Sequence, residues 1–172
     1  LQHIDDLIAT GEYLKQGNSA TVVKSELSGL PIVIKRYNTS SILSGVKQLV
    51  RVSGAYNSWF IAHWFLQNNI PTPRPLAVVE LNIGLMRRRS YYIYEYILLE
   101  SLEDLIRNHK SKEELEKIAD KFIVLVKSML KARVTHRGFK SSNVHIHLGE
   151  MCLVKLDHAS YRYCDYSLRR LL

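Results

Sequence analysis

The side chains best suited to chemistry lie in the segment 135–143, which reads THRGFKSSN. Lys140 offers an ammonium group that can sit beside a phosphate, and Asn143 offers an amide oxygen that can ligate a metal ion. His136 can organise the loop through the two nitrogens of its ring. Together these residue types predict contact with a phosphate and Mg²⁺, the equipment of phosphoryl transfer.

The spacing of this loop resembles the kinase catalytic loop His-Arg-Asp-Leu-Lys-x-x-Asn, whose Asp accepts the proton of the attacking hydroxyl. We therefore treat His136, Gly138 and Lys140 as the catalytic positions. Gly138 stands where the Asp is expected and has no side chain that could act as a base. Losing a positioned base typically lowers a rate by about 10²–10⁴-fold. The loop predicts a ligand class and leaves activity open.

A second metal ligand is expected downstream of the loop, at Asp157. The segment 154–157 reads VKLD and resembles the strand that leads into Asp-Phe-Gly, whose Asp holds the metal ion bridging the phosphates. Asn143 and Asp157 are thus the predicted Mg²⁺ ligands. A register shifted by two residues would instead place Lys155 at the metal position, where its charge would repel the ion. A surface Asp in a turn is a further alternative.

Phosphate contacts are also predicted near the N-terminus. Val33-Ile34-Lys35 resembles the strand whose lysine reaches the α- and β-phosphates of ATP. Gly17, Asn18 and Ser19 stand where a kinase has its glycine-rich phosphate-binding loop, and they are predicted to contact the nucleotide. Only one of the three glycines of such a loop is present, so an ordinary hairpin turn is an equal alternative. No acid lies between Glu26 and Glu80, so the helix after Lys35 cannot supply the usual glutamate partner.

The elements around these residues follow a β-rich half and then a helical half. Alternating and β-branched runs predict five strands in residues 1–96, with turns at Gly17 and at Ser28-Gly29 and a helical stretch embedded among them. After a junction near 95–97, Ser111 and Glu114 form a capping box. Its helix carries an apolar stripe expected in the core: Leu115, Ile118, Ala119, Phe122, Val126, Met129 and Leu130.

This order predicts an α+β, protein-kinase-like fold. Residues 1–96 would form an N-lobe with a five-stranded antiparallel sheet plus a helix. Residues 97–172 would form a shortened helical C-lobe that carries the catalytic-type loop. The helical stretch of the N-lobe is expected to include Ile42, Leu43, Val46, Leu49 and Val50, which recur at helical spacing.

The net charge and the composition limit the classes of ligand that this chain is expected to bind. The net charge is +8, and between Leu27 and Tyr94 eight bases face the single acid Glu80. Such a field attracts nucleotides, anionic lipid headgroups, phosphorylated glycans or nucleic acid, although a solvated surface would show the same excess. The cysteines, Cys152 and Cys164, are expected to be free thiols. No apolar run has the length of a membrane-spanning helix.

Several segments carry a wider resemblance across residues 22–160. In order they are IVIKRYN at 32–38, SW at 58–59 with AH at 62–63, NIPTPRPLA at 69–77, RRRSYYIYEYI at 87–97, and KSSN at 140–143. With them the chain resembles the bacterial lipopolysaccharide core kinases, which phosphorylate heptose or 3-deoxy-D-manno-octulosonic acid. The family loop usually reads His-Gly-Asp-Leu-Lys, so Arg137-Gly138-Phe139 departs from it.

The resemblance implies ATP with Mg²⁺ as cofactors, nucleotide contacts at Glu95 and Ile97 beside the junction, and a sugar hydroxyl of a lipopolysaccharide core or another anionic glycolipid as acceptor. It also implies cytoplasmic work with peripheral contact to the inner membrane. The expected function is an ATP-dependent sugar kinase of this type, impaired by Gly138 in place of the catalytic Asp. Two alternatives stay open: a pseudokinase that binds nucleotide or glycan without turnover, and a basic nucleic-acid-binding protein. The nucleic-acid-binding alternative has least support, because no recognition motif accompanies the arginine run at 87–89.

Overall fold

A computed structural model describes residues 2–38, 52–83, 86–108 and 111–161. The chain divides into two compact units. The first comprises Leu1–His63 with Pro73–Leu98, and the second comprises Trp64–Thr72 with Leu99–Leu172.

The first unit is built on the expected five-stranded antiparallel sheet, in the order β1-β2-β3-β5-β4. Its strands are β1 (Glu12–Gln16), β2 (Ala20–Leu27), β3 (Leu30–Tyr37), β4 (Pro75–Ile83) and β5 (Met86–Glu95). The turn predicted between β2 and β3 is confirmed, because both of its residues, Ser28 and Gly29, have positive φ. This backbone geometry matches the twist of a two-residue hairpin.

An N-terminal helix, α1 (Gln2–Thr10), covers one face of this sheet and was not predicted. Ile8 of α1 is buried in one cluster with residues of three strands: Val23, Ile32, Ile34, Tyr91 and Ile93. The apolar spacing of Ile4, Leu7 and Ile8 is the signal that could have revealed the helix.

A second helix, α2 (Gly54–Gln67), begins against β3. The Tyr37 ring lies so close to Gly54 that an added Cβ would stand 2.6 Å from a ring carbon. The Tyr37 hydroxyl and the Ser58 hydroxyl are 2.9 Å apart and form a hydrogen bond. The glycine thus permits the helix to approach the strand. The helical stretch expected at 42–50 lies outside the described residues.

The second unit combines two helices with short strands. Its elements are β6 (Glu100–Ser101), α3 (Leu102–Asn108), α4 (Lys112–Lys131), β7 (Val134–His136), β8 (Val144–His147), β9 (Glu150–Leu153) and β10 (Ala159–Tyr161). Strands β6, β8 and β9 form one antiparallel sheet, and β7 pairs with β10. Single 3-10 turns occupy Ser141–Asn143 and Leu156–His158.

Helix α4 begins at the predicted cap, since the Ser111 hydroxyl accepts a hydrogen bond from the backbone N–H of Glu114 at 3.2 Å. The expectation that its whole apolar stripe is core is partly wrong. Met129 is buried, but Leu115 and Leu130 are exposed, the latter by 67%. No described helix is both long and apolar enough to cross a membrane.

The segment 64–72 belongs to the second unit through specific bonds. The Trp64 indole N–H donates to the main-chain oxygen of Ala132, which ends α4, at 2.9 Å. The Thr72 hydroxyl donates to the oxygen of Leu153 at the end of β9, at 2.8 Å. These bonds satisfy carbonyls at two element ends beside the loop that follows α4.

Candidate functional site

The catalytic-type loop begins where α4 ends. Arg133 adopts the left-handed conformation, with φ 56°, and turns the chain into β7, whose last residue is His136. Phe139 stacks on Phe122 of α4, with ring centroids 5.5 Å apart, and it lies edge-to-face with the His136 ring, with centroids 6.3 Å apart. The loop is therefore held against the helix by aromatic packing.

His136 is buried and has a defined tautomer. Its Nε2 lies 2.5 Å from the backbone oxygen of Lys155. Because a carbonyl oxygen only accepts, Nε2 must carry a proton, and in the neutral ring Nδ1 is then the unprotonated nitrogen. Burial lowers the pKa of His136, although the bond to Lys155 opposes this shift. His136 Nδ1 is buried and has no hydrogen-bond partner among the described residues. The ring is thus neutral and joins the loop to the segment after β9.

Both ends of the Asn143 amide are engaged. Asn143 is only 3% exposed. Its Nδ2 donates to the backbone oxygen of Gly138 at 2.6 Å, and its Oδ1 accepts from the Nζ of Lys155 at 3.2 Å. The oxygen predicted to ligate a metal ion therefore has an ammonium group as its neighbour.

Gly138 has room for a side chain. A Cβ built there would lie 3.6 Å from Asn143 Nδ2 and 3.7 Å from the nearest atom of His136, which are ordinary contact distances. The backbone at Gly138 is not in the left-handed region. Neither crowding nor backbone conformation therefore requires glycine at this position, and the Cβ of an aspartate would fit here without a clash.

Asp157 lies in the 3-10 turn Leu156–His158, two residues beyond Lys155. Its side chain is 17% exposed, and its carboxylate is 3.6 Å from Nε2 of the adjacent His158. The backbone N–H of Arg137 donates to the oxygen of His158 at 3.1 Å. The turn is therefore attached to the loop, but it is Lys155 that reaches the oxygen of Asn143. The role of Asp157 as a metal ligand stays a prediction.

The residues at Asn143 do not fit Mg²⁺. An ion bound to its Oδ1 at about 2.1 Å would stand within roughly 5 Å of the Lys155 ammonium. At an effective dielectric constant of about 20, the repulsion would be on the order of several kcal/mol. Among the residues that the structure describes, no group of three or more His, Cys, Asp or Glu could hold a metal ion.

In the first unit, Lys35 lies on β3 and is only 9% exposed. Its Nζ stands 4.8 Å from the centre of the Tyr37 ring, a cation–π distance. Across the sheet it pairs with Tyr92, whose hydroxyl pKa is raised by burial. The lysine stem is thus held by aromatic neighbours, and its phosphate contact stays a prediction.

The turn of Gly17, Asn18 and Ser19 is closed by a residue that sequence reasoning missed. The Asn38 amide donates to the oxygen of Gly17 at 3.2 Å, and its backbone N–H donates to the oxygen of Ser19 at 3.0 Å. The N–H of Gly17 is itself engaged with the oxygen of Ala20 at 3.1 Å. Part of this turn's backbone is therefore committed to holding its own shape.

The junction residues are partly engaged as well. The N–H of Glu95 donates to the oxygen of Arg74, and its carboxylate lies 3.1 Å from the Arg74 guanidinium. Ile97 lies in the segment 96–99, which has no regular secondary structure. The nucleotide contacts expected of Glu95 and Ile97 stay predictions.

Asp5 of α1 is a second residue that was missed, and it changes the charge of the first unit. Its carboxylate accepts from the Arg89 guanidinium at 2.8 Å and from the Tyr91 hydroxyl at 3.0 Å. The Arg36 guanidinium is 3.8 Å away. Burial is the main cause that raises the pKa of Tyr91. Part of the basic excess is therefore neutralised within the unit.

Comparison with known proteins identifies the fold. A solved structure of WaaP in complex with acyl carrier protein superposes with a TM-score of 0.71 at 17% sequence identity. The match covers 94% of this chain and 66% of that one, so the chain spans just under two thirds of its length. The predicted α+β, kinase-like fold is thereby confirmed.

Altogether 1530 chains of known structure match, so the fold is widely shared and does not by itself select an activity. No family model and no curated protein matches the sequence.

Proposed function

We propose that this chain is a nucleotide-binding pseudokinase of the lipopolysaccharide-kinase type, which holds phosphate groups but does not transfer them through Mg²⁺. The observation that carries the proposal is the Lys155 ammonium, 3.2 Å from the Asn143 oxygen that a metal ion would need. A cation is already present there as part of the protein.

The missing base supports the same conclusion. Gly138 cannot accept the proton of an attacking hydroxyl, and the free nitrogen of His136 is buried. A positioned base is worth about 10²–10⁴-fold in rate, and a metal ion at the transferring phosphoryl group contributes several kcal/mol more. The two losses fall on the same step, so slow residual transfer is not expected to be detectable.

Phosphate binding is supported by lysines that the fold holds in place. Lys35 is nearly buried beside Tyr37, and Lys155 is tied to Asn143. Lys140 lies in the loop itself and is exposed. Lys140 and Lys155 are the proposed phosphate contacts of the second unit, and Lys35 is proposed separately as a phosphate contact of the first unit.

The family resemblance supports the rest of the ligand class. We propose that the second ligand is an anionic glycolipid such as a lipopolysaccharide core, bound at the cytoplasmic face of the inner membrane. The alternative function is an active sugar kinase. It would bind the same ligands as the pseudokinase but would also transfer phosphate to the sugar.

A nucleic-acid-binding function is disfavoured by the pairing of the bases. Arg36 and Arg89 both lie beside Asp5, and Arg74 lies beside Glu95. A phosphate-backbone site depends on cations that can exchange their counterions for nucleic acid. Paired cations supply less of that driving force.

Calorimetry with ATP and ADP, followed by a transfer assay on deacylated core oligosaccharide, tests the proposal. We expect nucleotide binding without phosphate transfer above background. Transfer by the wild-type chain that Lys35→Ala abolishes would establish the active kinase instead. Tight RNA or DNA binding without nucleotide affinity would establish the nucleic-acid alternative.

A further inference from the structure

We infer that Lys155 acts as a built-in cation, so that the second unit binds a polyphosphate anion free of any divalent metal ion. This inference rests on the proposed nucleotide binding and goes one step further, because it names the ionic form of the ligand. In metal-dependent phosphoryl transfer the nucleotide is bound as its Mg²⁺ complex. Here the free nucleotide would be the preferred form.

Lys155 is held by hydrogen bonds at both its backbone and its side-chain ammonium. The backbone oxygen of Lys155 is held by His136 Nε2, and its Nζ is held by the oxygen of Asn143. Asn143 is in turn held by the oxygen of Gly138. The cation is thus positioned by a chain of hydrogen bonds in which His136 and Asn143 are buried, and such preorganisation lowers the entropic cost of binding.

The chemistry of the group suits phosphate. A lysine ammonium is a compact point charge that can donate three hydrogen bonds, and lysine commonly binds phosphates in this way. One of the three bonds goes to Asn143. The ammonium can therefore neutralise a phosphate oxygen by its own positive charge, as a metal ion would.

The neighbouring charges set the sign of the metal effect. Asp157, two residues beyond Lys155, carries a carboxylate that lies 3.6 Å from the ring of His158. A Mg²⁺ ion delivered with ATP would approach the ammonium and would also cancel part of the charge that the ammonium attracts. Excess Mg²⁺ should therefore leave the affinity for ATP unchanged or weaken it.

The first measurement compares the dissociation constants of ATP and of inorganic tripolyphosphate in excess EDTA and in excess Mg²⁺. We expect both ligands to bind in EDTA, with an affinity equal to or higher than that in Mg²⁺. Tighter binding of ATP in Mg²⁺ would overturn the inference and leave the proposed function standing. Absence of ATP binding under both conditions would overturn the proposed function itself.

Variants at position 155 supply the second measurement. Lys155→Met should weaken binding about tenfold or more in EDTA, as expected for the loss of a charge-assisted hydrogen bond. Lys155→Asp should bind in EDTA still more weakly and should regain affinity when Mg²⁺ is added. Lys127→Glu makes the same charge change as Lys155→Asp on the exposed side of α4 and should leave both constants unchanged.

Thermal unfolding of each variant separates loss of binding from loss of folding. If Lys155→Asp is too unstable, Lys155→Met alone decides the question, because it keeps the stem and removes only the charge. Equal ATP affinity of folded Lys155→Met and the wild type in EDTA would refute the role of Lys155.

Discussion

Restoring both missing groups should convert the chain into an ATP-consuming enzyme, whereas restoring either one alone should not. Gly138→Asp supplies the base, and Lys155→Asp removes the ammonium and supplies a metal ligand beside Asn143. The two changes act on one chemical step. Their effects are therefore expected to be far from additive.

The structure gives the size of each effect. A Cβ at Gly138 makes no contact closer than 3.6 Å, so Gly138→Asp should change the free energy of unfolding by about 1 kcal/mol or less. The base would return about 10²–10⁴-fold in rate, but only after a metal ion can bind. The repulsion at Lys155, on the order of several kcal/mol, corresponds to at least about 10²-fold.

Release of phosphate from ATP, with Mg²⁺ and with excess EDTA, is the assay. The double variant should exceed each single variant at least about tenfold, and only in Mg²⁺. The control is Gly138→Asn in the Lys155→Asp background, which has the shape of the restored side chain without its charge. If Gly138→Asp alone matches the double variant, a metal ion binds despite Lys155 and the reasoning is refuted.

Three further predictions concern stability. Gly54→Ala should destabilise the first unit by about 1–3 kcal/mol, measured by urea unfolding, because its Cβ would meet the Tyr37 ring; Gly17→Ala, whose Cβ makes only ordinary contacts, should change stability by less than about 1 kcal/mol. Burial lowers the pKa of His136 in the folded protein, whereas the unfolded chain keeps the ordinary histidine pKa of about 6.5. Below that pH the unfolded chain therefore binds more protons than the folded one. His136 should therefore make stability fall with decreasing pH by up to about 1.4 kcal/mol per pH unit. Burial lowers the pKa of His145 in the same direction, so His136→Gln should reduce the slope without abolishing it; an unchanged slope would contradict the assignment. Trp64→Phe should cost about 1 kcal/mol and lower the melting temperature by about 2–4 °C, because the carbonyl that ends α4 loses its indole donor; an unchanged melting temperature would show that water replaces it.

The overall fold could be predicted because its signals are local. Alternating β-branched residues predicted the strands, the pair Ser28-Gly29 predicted a hairpin turn, and Ser111 with Glu114 predicted the start of α4. Helix α1 was missed because its apolar residues lie among acids and a histidine, and its stability comes from packing Ile8 on the sheet. The spacing of Ile4, Leu7 and Ile8 is a local signal for the helix, but the sheet residues that bury Ile8 are distant in sequence and leave none.

The exposed part of the α4 stripe has a related explanation. Helical spacing reports which side chains share a face, but it does not report how much of that face is covered. Leu125 and Met129 are buried, whereas Leu130 on the same helix is not. The extent of burial depends on which other elements reach the helix, and only the tertiary structure contains that information.

The sequence by itself determined that the catalytic-type loop has no base, since Gly138 has no side chain in any conformation. It also predicted phosphate and metal contacts for the loop through Lys140 and Asn143, and these contacts stay predictions. It left open whether Lys155 or Asp157 meets Asn143, because both registers are compatible with the spacing. The tertiary structure decided for Lys155.

The physical reason is the register of one hairpin. Leu148 and Gly149 both adopt positive φ and form a two-residue turn, which pairs Val144 with Leu153. The residue two positions beyond that pair is Lys155, and its backbone oxygen meets His136. A hydrogen-bond ladder fixes register only when both strands are present together. The pairing of β8 with β9 therefore decides that Lys155 is the residue beside Asn143.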